Sequence, residues 1–138
     1  MADYVLDCNH LSATLHKVSR VRERLHEARR DGHRLISCYP VLCELEAGIQ
    51  QTAKLTENRR RLGQLLRHIR LWPVDAQTAR HYGAVYIELR RLGRVLSQVD
   101  MILAALARQH QLTVLTTDRD FEALGDLHTE DWTVESAR

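Results

Sequence analysis

Aromatic side chains are scarce in this chain, making up 5% of 138 residues, so nothing resembling an aromatic stacking platform for nucleobases is visible and base-specific reading is not predictable. Long hydrophobic runs are missing as well. The longest, Met101–Ala107, is far short of the roughly 20 apolar residues that a membrane-spanning helix needs. No charged stretch followed by an apolar one comes after Met1, so neither a secretory signal nor a transit peptide is expected, and the expected location is the cytoplasm. Cysteine is limited to Cys8, Cys38 and Cys43. An odd number without a C-x-x-C pair excludes a disulfide framework and fits a reducing compartment, with the thiols expected as small core residues. The eight histidines are scattered. His10 near Cys8 would still lack two ligands, so a zinc site is discounted. No repeat, low-complexity stretch or linker is visible, and residues 1–138 are expected to form a single domain.

What is present is a soluble globular composition, 44% apolar and 28% charged, with a formal net charge of +2. The cations are nearly all arginine and are unevenly placed: Lys17–Arg34 and Arg59–Arg70 are basic, Asp118–Glu135 acidic. Arginine suits bidentate contact with phosphate, but it also makes ordinary solvated helix faces.

The hydrophobic pattern alternates short apolar runs with amphipathic stretches. Strands are predicted at Ala2–Asp7, Arg34–Ser37, Leu71–Val74 and Leu112–Leu115, with a last one at Trp132–Val134. Pro73 should bend the third and confine it to a sheet edge. Asn9 is the expected N-cap of a short helix through Leu15. Ser19 begins a helix on Val21, Leu25 and Ala28 that Asp31-Gly32 closes. Pro40 suits the first turn of a helix through Gln50, and Gly48 inside it suggests close backbone packing. A long helix follows from Thr56, with Leu62, Leu65, Leu66 and Ile69 inward. Asp75 caps a helix with an apolar stripe of Ala79, Tyr82, Val85, Tyr86 and Leu89, ending at Gly93. Ser97 opens the next, and Phe121–Leu124 makes one turn at most. Strands alternating with helices predict an α/β layer architecture around a mainly parallel sheet.

Against this frame the acidic residues stand out, most of all in Ser97–Phe121. Asp100 shares a helical face with Leu103, Ala104 and Ala107, where an unpaired buried carboxylate would be costly. Glu44 is expected on the inner face of its helix with Val41, Leu45 and Gly48, while Glu46 points away. Asp7 ends the first strand, and Asp118 and Asp120 follow the fourth through Thr116 and Thr117. In an open parallel sheet the crevice beyond the strands' carboxyl ends is where ligands bind. Four carboxylates meeting there would raise one another's pKa unless a divalent cation opposed them. Oxygen-only donors select Mg²⁺ or Mn²⁺, and a cation so held can activate water against a phosphodiester. Asp100, near a helix N-terminus, is expected to stay ionised. Each acid alone also has a plain reading as a turn or helix-start residue, and Glu44 as half of a buried ion pair.

Four blocks in order, YVLDCNHLS, ISCYPVLCELEAGI, RHYGAVYIELRRLGRVLSQVDMILAALA and LTVLTTDRDF, resemble PIN-domain proteins of the VapC type, the toxins of bacterial toxin–antitoxin pairs. The likeness runs over nearly the whole chain. It implies a PIN-like three-layer sandwich with a central mainly parallel sheet between helices, and a Mg²⁺-dependent endoribonuclease, usually a homodimer. It places Asp7, Glu44, Asp100 and Asp118 at the family's acidic positions, with Asp7, Asp100 and Asp118 as metal ligands and Asn9, Thr117 and Asp120 in support. Asp118 is preferred to Asp120 because it is nearer the strand end. The resemblance also implies a small antitoxin that blocks the site and, with the toxin, represses its own operon, so that operator DNA is bound only through the antitoxin. The family commonly carries hydroxyl residues where this chain has Cys8 and Val41, which bears on metal affinity more than on reaction type.

With RNA as substrate, Arg59, Arg60, Arg61 and Arg67, joined by Arg70, Arg90, Arg91 and Arg94, become candidates to track its backbone. Two other readings compete: a catalytically silent PIN-like subunit serving as a binding or repressor partner, and a receiver-like phosphoacceptor domain. The latter lacks an acidic pair near the first strand and a lone lysine after a late one.

Overall fold

A computed structural model describes residues 2–134. Five short strands form one sheet: β1 (Tyr4–Leu6), β2 (Leu35–Cys38), β3 (Arg70–Trp72), β4 (Thr113–Leu115) and β5 (Thr129–Glu130). All pairings are parallel, in the order β3-β2-β1-β4-β5. Six α-helices connect them: α1 (Cys8–Ala13) and α2 (Arg20–Arg30), α3 (Tyr39–Gln50) and α4 (Leu55–Leu66), α5 (Ala76–Arg91) and α6 (Gln98–His110). A 3₁₀ turn spans Arg119–Ala123. The chain builds β1, β2 and β3 outward in one direction, then crosses back to lay β4 on the other side of β1. With right-handed crossovers, that reversal puts the two sets of helices on opposite faces of the sheet. It also makes the β1/β4 boundary the topological switch point, where the crevice beyond the strand ends opens. The receiver-like alternative requires the order 2-1-3-4-5, which this sheet does not have.

The sheet centre is mostly apolar. Val5, Leu6, Ile36, Val114 and Leu115 are completely buried, Ser37 is buried with its hydroxyl donating to the Leu6 carbonyl at 3.0 Å, and α6 packs Leu103, Ala104 and Leu106 into the same core. Among the described residues no helix is long and apolar enough to cross a membrane.

Several expectations shift. The N-cap of α1 is Asp7, whose carboxylate accepts the Cys8 N–H, not Asn9; the chain turns into the helix directly at the strand end and leaves Asn9 inside the first turn. The last strand is Thr129–Glu130, which aligns with Val114 and Leu115. Trp132–Val134 is a turn, and Trp132 is buried because its ring packs on Tyr4, with centroids 4.8 Å apart, not because it pairs in the sheet. β3 is an edge, as Pro73 required, but Pro73 lies just past the strand and does not bend it. Helix α5 buries Thr78, Val85 and Leu89 and leaves Ala79 and Tyr86 exposed. It is rotated because Thr78 Oγ1 donates to Gln109 of α6 at 2.5 Å and Glu88 binds Arg108 at 2.8 Å. A side chain on Gly48 would meet nothing within 4 Å, so close packing is not its reason. Cys38 is buried, Cys8 half-buried and Cys43 exposed, so only one thiol is a true core residue.

Helix α6 ends on Gln111 in the left-handed conformation, φ 56°, where a Cβ is disfavoured and glycine is usual. Gln111→Gly is expected to stabilise the protein by about 1 kcal/mol, the lower end of the left-handed penalty it removes, read as a higher urea midpoint with an unchanged slope.

Candidate active site

Asp7 leaves the end of β1 and is only 4% exposed. One oxygen, Oδ1, accepts the Cys8 N–H at 2.7 Å; the other, Oδ2, accepts Thr116 Oγ1–H at 2.8 Å and Asn9 Nδ2–H at 3.2 Å. Thr116, buried one residue past β4, thereby bridges the two central strands. Its hydroxyl oxygen also receives the Asp118 N–H at 3.0 Å. The side chain of Asp118 caps the following 3₁₀ turn by accepting the Asp120 N–H at 2.9 Å. On α6, Ser97 caps the helix and accepts the Asp100 N–H at 3.1 Å, which sets Asp100 in the first turn.

The carboxylates share one field. Burial raises the pKa of Asp7 despite its hydrogen bonds, and the charge of Asp118 adds to the effect. Asp100 is pushed up to about 6, first by burial and then by Asp7, Asp118 and Glu44. Glu44 rises through burial and the charge of Asp7. The Cys8 thiol, hemmed in by burial and by Glu44, Asp7 and Asp100, is raised to about 11 and stays protonated. The structure therefore brings Asp7, Asp100 and Asp118 within electrostatic reach of one another, and Glu44 within reach of Asp7 and Asp100. Glu44 differs from expectation in being exposed at the rim, not buried on the inner face of α3; Val41, Leu45 and Ile49 form that face. Asp120 lies apart, 60% exposed and 3.6 Å from Arg94. Thr117 contributes its backbone N–H to Asn9 Oδ1 at 3.2 Å.

From the sequence His10 was weighed only as a zinc ligand, and discounted, and Thr116 was given no role. His10 is completely buried and held neutral, its pKa lowered to about 4 chiefly by burial. Its Nε2 accepts the Trp132 N–H at 2.9 Å, so Nδ1 carries the proton and donates to Asn9 Oδ1 at 2.7 Å. That contact turns the amide so that Asn9 Nδ2 faces Asp7 and Thr116. A histidine beside Leu11 on the inner side of a short helix was the available signal; nothing in the sequence pointed to Trp132 as its partner. The Thr116 signal was a hydroxyl residue at a strand end beside two acids.

Among the described residues no three His, Cys, Asp or Glu side chains close into a ready cage for a metal ion. Mg²⁺ does not require one, since it keeps several waters and takes one or two carboxylates from the protein. Hard oxygen donors and like charges with no cation among them fit such a hydrated ion, and Asp7, Asp100 and Asp118 are the residues that could hold it.

The match to known proteins agrees with this geometry. Residues 4–127 match the family model described as PIN domain. The chain belongs to the PIN-domain family. This PIN domain is 33% identical over 134 residues to the tRNA(fMet)-specific endonuclease VapC of Shigella flexneri, covering 96% of the chain and 99% of the relative. It is similar in structure to VapBC from Salmonella typhimurium in its DNA-bound form, with TM-score 0.83 and 27% identity, covering 96% of this chain and 99% of that one. Its fold also matches VapBC2 from Rickettsia felis bound to a promoter DNA fragment, with TM-score 0.85, 22% identity and coverage of 94% and 98%. The PIN domain is thus of the VapC type.

Between about pH 4 and 6 the folded PIN domain holds a proton on Asp100 that the unfolded chain has released, so this residue lowers stability as pH rises through that window. In chelator, Asp100→Asn is therefore expected to gain stability relative to wild type from pH 5 to 7.5. The gain is about 1 kcal/mol, allowing for screening at a half-exposed carboxylate, and denaturant titrations at the two pH values measure it. A gap that does not widen with pH would contradict the assignment.

Proposed function

We propose that this PIN domain is a metal-dependent endoribonuclease, hydrolysing RNA phosphodiester bonds as the toxin of a toxin–antitoxin pair. The observation that carries this reading is the field that Asp7, Asp100 and Asp118 share at the β1/β4 switch point, with Glu44 acting on Asp100 and feeling Asp7, and with no cationic side chain among the causes of the shifts of Asp7, Glu44 and Asp100. Mg²⁺ or Mn²⁺ bound there would supply charge opposing the scissile phosphate and acidify a bound water. Asp7, fixed by three hydrogen bonds, gives the site its rigid ligand. Asp100 and Asp118 bring charge from α6 and from the turn after β4. Glu44, the exposed carboxylate, would take a proton from the attacking water at its Oε atoms. The Cys8 thiol stays protonated and adds no charge to the crevice.

Similarity to VapBC complexes supports a cognate antitoxin as partner, through which operator DNA would be reached. Exposed Tyr86, Ile87, Leu92 and Val95 on and after α5 offer a face for pairing with a second copy. Of the candidate arginines, Arg59 is bound to Glu46 at 2.8 Å and Arg61 to Glu57 and the Leu15 carbonyl. This leaves Arg60 and Arg67 as the stronger candidates for RNA contact.

Purified protein incubated with structured RNA in Mg²⁺ or Mn²⁺ is expected to cut it and to stop when chelator is added. Asp100→Asn is expected to lower the rate by about 100-fold. If wild type cuts no faster than Asp100→Asn, the silent-subunit reading takes its place.

A further inference from the structure

Away from the acids, a cavity of about 480 Å³ lies between α2 and α4. Its floor is apolar, made by Leu25, Leu35, Leu65 and Ile69, and its lining contains no carboxylate. Arg29 of α2 faces Arg60 and Arg67 across it, with His26 and His68 also at its walls. The two imidazole rings stand 6.1 Å apart at 66°. Burial and the charges of Arg29, His26 and Arg67 all hold the His68 pKa down, which marks these groups as sharing one space.

Elsewhere arginines are neutralised: Arg34 by Asp3, Arg59 by Glu46, Arg108 by Glu88 and Asp126. Two more that reach this cavity are committed internally, Arg22 to the carbonyls of Thr14, His16 and Lys17, and Arg61 to Glu57 and Leu15. Among the described residues Arg29, Arg60 and Arg67 have no carboxylate partner. Like charges facing one another across a cleft repel unless an anion lies between them.

A neighbouring hollow of about 630 Å³ shares Lys17 and Arg61 with the cleft and reaches Cys8, Ser12 and Glu44. The basic cleft therefore borders, at Lys17 and Arg61, a hollow that reaches the rim of the acidic site. We propose that the α2/α4 cleft is a binding site for single-stranded RNA next to the cleaved bond, with Arg29, Arg60 and Arg67 on its phosphates and the His26 and His68 rings against a base. Arginine forks fit phosphate oxygens, and histidine rings and an apolar floor accept an unstacked base. Single-stranded RNA fits better than an acidic peptide because its phosphates would meet Arg29, Arg60 and Arg67 while an unstacked base meets the His26 and His68 rings. The proposal rests on the ribonuclease reading above.

The test uses full-length Asp100→Asn protein, so that RNA is bound and not cut, and a fluorescent single-stranded RNA of about 12 nucleotides, within the span one binding domain covers. Anisotropy is measured across a salt series. Adding Arg60→Gln and Arg67→Gln is expected to weaken binding by about tenfold near 0.1 M salt. The slope of log affinity against log salt should become shallower by about 1.4, the value for two lost single-strand phosphate contacts. Arg29→Gln alone should lower it by about 0.7. Circular dichroism and the denaturation midpoint verify folding. Unchanged affinity and slope, or a parent protein that binds no RNA, would overturn the proposal. So would unchanged RNA binding together with loss of binding to a glutamate-rich peptide, which would assign the cleft to an acidic protein partner. Failure of the ribonuclease reading is separate, since it shows as a wild type that cuts no RNA in any divalent metal.

Discussion

The constraint on which this molecule turns is the accumulation of negative charge at the ends of its two central strands. Asp7 follows β1 and Asp118 follows β4, strands that pair residue for residue from Tyr4–Thr113 to Leu6–Leu115, and Asp100 and Glu44 come in from helices on either side. Such an arrangement is unfavourable by itself, as the raised pKa values of Asp7, Asp100 and Glu44 show. Folding tolerates it because the surrounding core is apolar and close to fully buried, and because Thr116, Asn9 and the Cys8 N–H satisfy the most buried carboxylate. Packing elsewhere thus offsets the repulsion within the site.

Much of this was legible beforehand, for physical reasons that differ from residue to residue. The helix bounds near Ser19, Asp75 and Ser97 followed from side chains that cap, and each does cap. The parallel sheet followed from alternation, and the edge position of β3 from Pro73 beside it. Proximity of the acids could be expected only through topology, since no local pattern links residue 7 to residue 118. Errors arose where tertiary contacts override periodicity. The rotation of α5 is set by Gln109 and Arg108 on its neighbour. The last strand was misplaced because Trp132 looks like a strand residue and is in fact a ring packed on Tyr4. The scarcity of Phe, Tyr and Trp concealed that His26 and His68 stand together in a cleft. Which arginines are free could not be read from spacing, because Arg61 turns back to Leu15 while Arg60, its neighbour, does not.

Opposite charges are kept apart in this fold. The acidic crevice occupies the switch point, and the unpaired arginines face one another between α2 and α4, joined to it by a hollow that carries Lys17 and Arg61 at one end and Glu44 at the other. Separation of this kind lets a polyanion be attracted at one place and opposed by a cation at another, whereas mixed charges would neutralise each other within the protein. The internal ion pairs of Arg34, Arg59 and Arg108 show that neutralisation was available and is used elsewhere.

The hydrogen bond from Trp132 to His10 has a dynamic consequence. Trp132 sits two residues beyond β5, an edge strand of two residues, and short edges are among the first parts of a sheet to open and exchange their amide protons with solvent. An opening that reached Trp132 would withdraw the donor from His10 Nε2 and free the imidazole to change tautomer, and with it the amide of Asn9 that faces Asp7. One of the three hydrogen bonds on the buried carboxylate would in this way be linked to the sheet's thinnest margin.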